Sequence, residues 1–166
     1  WSRPRACRST SPGLAAADAL PRAIGPQAMA TLPLWRPEMP RPVSFAPRRL
    51  ASRDAGLSPG IVYFPSCAAR TMGPARGDAV RESLPAVTDR LLRKAGYQVF
   101  YPESLANLCC GQPFESKGLA EAANVKSAQL ERALRTARPK EGSPIVFDTS
   151  PCAYRMKRYL EGRLPV

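Results

Sequence analysis

Histidine is missing from this 166-residue sequence, which removes both the usual general base for hydride or proton abstraction and the commonest nitrogen ligand for metals. No apolar run approaches the roughly 20 residues that a membrane-spanning helix needs. A glycine-rich dinucleotide loop is also missing. Nothing reads as a secretory leader, and five widely spaced cysteines are too few for a small disulfide scaffold. The thiols therefore read as reduced, in a cytoplasmic chain that is soluble or held peripherally at the inner face of the membrane. Acidic residues are scarce, 13 against 25 Lys and Arg, for a net charge of +12. The excess forms no stripe: the first 60 residues carry nine basic and three acidic side chains and the rest 16 and 10, net +6 each. Such a spread reads as solvated surface charge, and no nucleic-acid partner is expected.

Proline is plentiful. Ten of the 19 prolines fall in the first 60 residues, which hold few apolar residues at helix or strand spacing. Residues 1–57 read as an irregular Pro- and Arg-rich linker, with Trp35 and Met39 apolar enough to dock on a neighbouring surface. The sequence begins at Trp1 rather than Met, which reads as a piece of something longer.

From residue 58 the pattern becomes regular. "IVYF", Ile61 to Phe64, is an apolar β-branched and aromatic run stopped by Pro65 and reads as a buried strand. Leu84, Val87, Leu91 and Ala95 recur at helical spacing, with Pro85 in the first turn and Gly96 after the end. "YQVFY", Tyr97 to Tyr101, is a second extended run, and Leu119, Ala123, Leu130, Leu134 and Ala137 mark one face of a long helix. "PIVFD", Pro144 to Asp148, is a third strand, followed by a helix with Ser150 as N-cap and Pro151 at its first position. The order βαβαβα predicts an α/β fold over residues 58–166, a small parallel sheet with helices packed on it.

The cysteines follow this order. Cys67, Cys109, Cys110 and Cys152 form a C-x41-C-C-x41-C pattern, with Cys7 outside it. Each of the four lies beyond the end of an expected strand, where ligands gather in parallel sheets. Adjacent Cys109 and Cys110 cannot easily bridge each other, so each needs another partner. Three readings follow from the residues: a shared iron–sulfur cluster or zinc ion, buried structural thiols, or a redox thiol pair. Gly111 would let the backbone approach a bulky cofactor.

The segments "YFPSC", "RTMGPARGD", "LCCGQPFESKG" and "DTSPCAYRM" resemble the cysteine-rich CCG domain of the flavin- and iron–sulfur-containing D-lactate dehydrogenases, relatives of the glycolate oxidase iron–sulfur subunit and of the heterodisulfide reductases. The likeness runs from about Ile61 to Leu160, and "LPLWRPEMP" resembles the linker to a ferredoxin-like domain. The resemblance implies an electron-transfer module of a D-2-hydroxy acid oxidoreductase, inactive by itself. Cys67, Cys109, Cys110 and Cys152 are then cluster ligands, with zinc as the alternative. The implied partners are an FAD-binding domain that holds the flavin, a ferredoxin-like domain and a second CCG repeat. No flavin-binding region, C-x2-C-x2-C-x3-C-P run or second repeat occurs here. The family motif ends in C-x-x-C, and Thr149 stands at the earlier position of that pair, so four ligands are easier to supply than the five of a noncubane cluster. Arg70, Lys117 and Arg155 would offset thiolate charge, or be solvated, while Asp148 would hold its loop through backbone N–H groups. The competing functional class is a zinc-binding or purely structural domain that docks a partner subunit.

Overall fold

The computed structural model describes residues 40–43, 45, 58–75 and 77–166. Strand β1, Gly60–Phe64, is buried along its whole length, as expected for a strand covered on both faces. After it come the short helix α1 (Cys67–Thr71), α2 (Leu84–Lys94), β2 (Gln98–Phe100), a single 3-10 turn (Leu105–Asn107) and the one-turn helix α3 (Gln112–Glu115). The chain continues through α4 (Ala120–Ala137), β3 (Ile145–Phe147) and α5 (Ser150–Leu160). All three strands are parallel, in the order β2-β1-β3, with Ile61 opposite Val99 and Tyr63 opposite Val146. The α/β class, the parallel sheet and the order of its elements agree with the sequence. Strands β2 and β3 are shorter than the apolar runs that announced them: the Tyr97 N–H is taken by Leu92 O at the end of α2, and the Asp148 carboxylate accepts from Tyr63 and Ser66.

Alternation along β1 gives the sheet two different faces. Val62 and Phe64 join Leu130 and Leu134 of α4 and Met156 and Leu160 of α5 in the larger core. Full burial of side chains of this size stabilises by about 1.5–3 kcal/mol each. Ile61, Tyr63 and Val99 form a smaller cluster on the other face, covered by Leu92 of α2.

Helix α2 occurs where the sequence put it but turns a different side inward. Leu84 and Leu91, expected in the core, are 50% and 63% exposed, and Ala95 is exposed as well. Pro85 is buried and Leu92 half-buried instead. The cause lies in two tyrosines that face the helix, Tyr63 in β1 and Tyr101 just after β2. Buried hydroxyls need partners; Thr88 bonds that of Tyr63, and Asp89 accepts that of Tyr101 at 2.6 Å. Those two polar residues fix the helix's rotation.

The elements belong to one compact unit, residues 40–74 and 78–166. Of the expected linker, the described stretch is tied to that unit: Pro42 bridges Met72, Val43 N–H donates to Thr71 O at 3.2 Å, and Phe45 packs on Tyr101. Cys7, Trp35 and Met39 lie outside the described residues. Among the described residues no helix is long and apolar enough to cross a membrane.

Candidate functional site

Parallel pairing brings the carboxyl ends of β1, β2 and β3 side by side, and the loops leaving them carry the four cysteines. Cys67 opens α1, where the Ser66 hydroxyl accepts the Ala69 N–H at 3.1 Å and caps the helix. Asp148, at the end of β3, accepts the Ser66 N–H at 2.9 Å and the Tyr63 hydroxyl at 3.0 Å. One carboxylate thus ties the Cys67 loop to the loop that leads into Cys152. Cys152 sits in the first turn of α5, whose N-cap is Thr149, one residue before the expected Ser150.

The Cys109–Cys110 loop is held from three sides. Arg70 donates from Nη2 to Leu108 O at 2.6 Å and from Nη1 to Leu105 O, while its guanidinium lies 5.6 Å from the centre of the Phe64 ring. Arg155 is 5% exposed and donates from Nε to Cys110 O at 3.0 Å. Its terminal nitrogens pair with Glu115 and with Asn124 Oδ1. The Ser127 hydroxyl, on the buried face of α4, donates to the same Cys110 carbonyl at 2.8 Å. Arg70 and Arg155 are therefore anchors of the thiol loop as well as positive charges beside it. Lys117 is exposed and makes no side-chain hydrogen bond or ion pair among the described residues. Gly111 also lets the loop lie against α4: at φ +90° a Cβ there would stand 2.4 Å from Ala123 O.

The four sulfurs are not equivalent. Cys110 and Cys152 are buried, and their Sγ atoms lie 3.1 Å apart in a thiol–thiol hydrogen bond. In that bond Cys110 is the donor, its pKa pushed up by the bond and by burial, and Cys152 the acceptor, its pKa pushed down by the same bond. Cys109 is half-buried and its Sγ accepts the Gly111 N–H at 3.4 Å. Cys67, also half-buried, lines a hollow of about 410 Å³ with Val43, Phe45, Arg70 and Leu105. Burial, and then the charges of Cys109 and Cys152, push its thiol up. All four thiols are free.

In kind and number these donors suit a thiolate-bound group, since soft sulfur ligands select iron–sulfur clusters or zinc. Their arrangement is not a closed coordination shell. Two sulfurs on one tetrahedral zinc would stand about 3.8 Å apart, wider than the Cys110–Cys152 contact. Among the described residues no group of three or more His, Cys, Asp or Glu side chains is set to hold a metal ion.

Sequence reasoning did not single out Ser127, Glu115, Asn124 or Tyr63. A faint signal existed for Ser127, a polar residue between Ala123 and Leu130 on the apolar face of α4. Glu115 and Asn124 gave none, because their partner Arg155 lies far along the chain.

A three-stranded parallel sheet whose strand-to-helix loops gather four free cysteines defines a cysteine-rich α/β domain. The family model for the cysteine-rich domain CCG matches residues 61–157, and the chain belongs to that family. No curated protein and no solved structure matches the chain.

Proposed function

We propose that the chain is an electron-transfer module in which Cys67, Cys109, Cys110 and Cys152 ligate an iron–sulfur cluster, within a flavin-dependent dehydrogenase of D-2-hydroxy acids such as D-lactate or glycolate. The observation that carries this reading is the gathering of four free thiols by loops from three parallel strands. When bound, a cluster of this kind supplies one-electron transfer. The protein's own part is to present the sulfurs and balance their charge. Arg70 feels the charges of Cys67, Cys109 and Cys152, and Arg155 and Ser127 fix the Cys110 backbone. Membership of the CCG family supports an oxidoreductase subunit. The dehydrogenase, its FAD-binding domain, a ferredoxin-like domain and a second CCG repeat as partners follow from the sequence resemblance. Oxidation of a hydroxy acid needs a flavin or nicotinamide, so substrate chemistry belongs to the partner domain.

Anaerobic purification followed by iron, sulfide and zinc determination tests the cofactor: stoichiometric iron and sulfide are expected, and a colourless zinc protein would overturn the cluster. In the full-length parent, Cys109→Ser is expected to leave flavin reduction by substrate unchanged and to slow reoxidation by the acceptor. Unchanged reoxidation would remove these thiols from the electron path.

A second reading, a structural domain that docks a partner subunit, draws on one observation. Exposed Met72, Val80 and Leu84 border a hollow of about 540 Å³, an apolar surface without a cover among the described residues. Zinc or no metal in the purified protein would favour it.

A further inference from the structure

Two of the four thiols are already poised for chemistry with each other. Cys110 and Cys152 come from loops 42 residues apart in sequence, yet their Sγ atoms stand 3.1 Å from one another inside the larger apolar core. Both are held in place. The Cys110 carbonyl accepts from Arg155 Nε and from the Ser127 hydroxyl, and Cys152 belongs to the first turn of the 11-residue helix α5. Closing a disulfide needs only roughly 1 Å of further approach. The pair is sealed from solvent, at 1% and 8% exposure, whereas Cys67 is half-buried and forms part of the wall of the 410 Å³ hollow. The Asp148 carboxylate, which accepts the Ser66 N–H at 2.9 Å, ties the loop of Cys67 to the one that leads into Cys152.

We propose that Cys110 and Cys152 are a redox pair that closes to a disulfide in the metal-free protein, with Cys67 as the outer thiol through which a low-molecular-weight disulfide reaches them. The Cys67 thiolate attacks one sulfur of the incoming disulfide, whose S–S bond breaks and releases one thiolate. Cys152 attacks the Cys67 sulfur, expelling the second thiolate, and Cys110 attacks Cys152, freeing Cys67 again. In sum, two protein thiols lose two electrons and two protons, and the reagent becomes two thiols. The inference goes beyond electron transfer through a bound cluster and does not depend on it. Its consequence for a metal site is direct, because closure withdraws two of four donors.

The test uses the full 166-residue chain carrying Cys7→Ser, reduced, stripped of metal by a chelator and exposed anaerobically to glutathione disulfide. Intact mass and non-reducing peptide mapping are then recorded. The expected product has lost two hydrogens and links Cys110 to Cys152. Cys67→Ser should slow its formation by roughly tenfold or more while leaving the linkage unchanged, and Cys110→Ser should stop at a mixed disulfide on Cys67 or a Cys67–Cys152 bridge. Circular dichroism checks that each variant is folded, with Cys152→Ser replacing Cys110→Ser if the latter is not. A bridge from Cys109, or no intramolecular bridge, overturns the pair; an unchanged rate in Cys67→Ser overturns the outer-thiol role. Iron content, measured separately, bears on the cluster alone. A chain that binds no iron can still form the bridge, and one that binds iron but forms none refutes only this inference.

Discussion

Gly111 is the residue on which the thiol loop turns. A side chain there would need φ near +90° and would drive its Cβ against the Ala123 carbonyl. Left-handed backbone at a non-glycine residue and a steric clash of this kind each cost about 1–3 kcal/mol, so Gly111→Ala is expected to lower stability by at least 2 kcal/mol or so in denaturant unfolding, and an unchanged midpoint would contradict the packing. Cys67 yields a prediction of a different sort. Burial disfavours its thiolate and the charges of Cys109 and Cys152 repel it, so deprotonation requires a higher pH than for a free cysteine. The rate of Cys67 alkylation by iodoacetamide in the metal-free chain should therefore rise later with pH than that of a model thiol; a rise at the same pH or earlier would show that the pocket does not penalise the anion. That the four cysteines follow the carboxyl ends of the three strands was legible from their positions after apolar runs. Which two of them touch was not, since the equal 41-residue spacings give Cys67 and Cys152 the same relation to the adjacent pair. Only the packing of α5 against the larger core decides that Cys152 meets Cys110.

At the scale of elements, α2 separates what periodicity reveals from what it conceals. Its existence was readable from Pro85, Gly96 and the helical spacing between them, but its inward face was not. Leu84 and Leu91 of the more apolar stripe are exposed while Thr88 and Asp89 turn inward, because the facing Tyr63 and Tyr101 bring hydroxyls that must be bonded. That preference depends on a contact across the fold, which no local window contains. The orientation is testable. Leu92→Ala should cost about 2 kcal/mol, the low end for truncating an apolar core residue since Leu92 is only half-buried, while Leu91→Glu should change stability by less than about 0.5 kcal/mol. The reverse ranking in urea unfolding would mean that the helix is rotated. Strands β1 and β3 needed no such contact to be recognised, being continuous apolar β-branched runs bounded by Pro65 and Pro144. The anchoring of Pro42 and Val43 to the Thr71–Pro74 segment was invisible for the opposite reason: a proline-rich stretch gives no periodic signal even where it makes bridges.

Across the whole molecule, metal and fold should be coupled. Since donors gathered from three loops are brought together only by folding, a metal bound there favours the native state, by about 2.7 kcal/mol at a free concentration 100 times Kd. With a stability change of 1 kcal/mol moving the midpoint by about 2–8 °C for domains of this size, anaerobic reconstitution with iron and sulfide is expected to raise the thermal midpoint by several degrees. The rise should disappear in Cys110→Ser, and a midpoint indifferent to reconstitution in the parent sequence would mean that nothing binds at the rim. The sheet order β2-β1-β3 has a further consequence, one of timing during synthesis. The central strand is made first and its second neighbour last, so a nascent chain still lacking Ile145–Phe147 owns Cys67, Cys109 and Cys110 but neither Cys152 nor the Asp148 carboxylate that ties down Ser66. Each half-made copy therefore emerges from the ribosome with three of the four cysteines, and the contact between Cys110 and Cys152 can form only once α5 has been made.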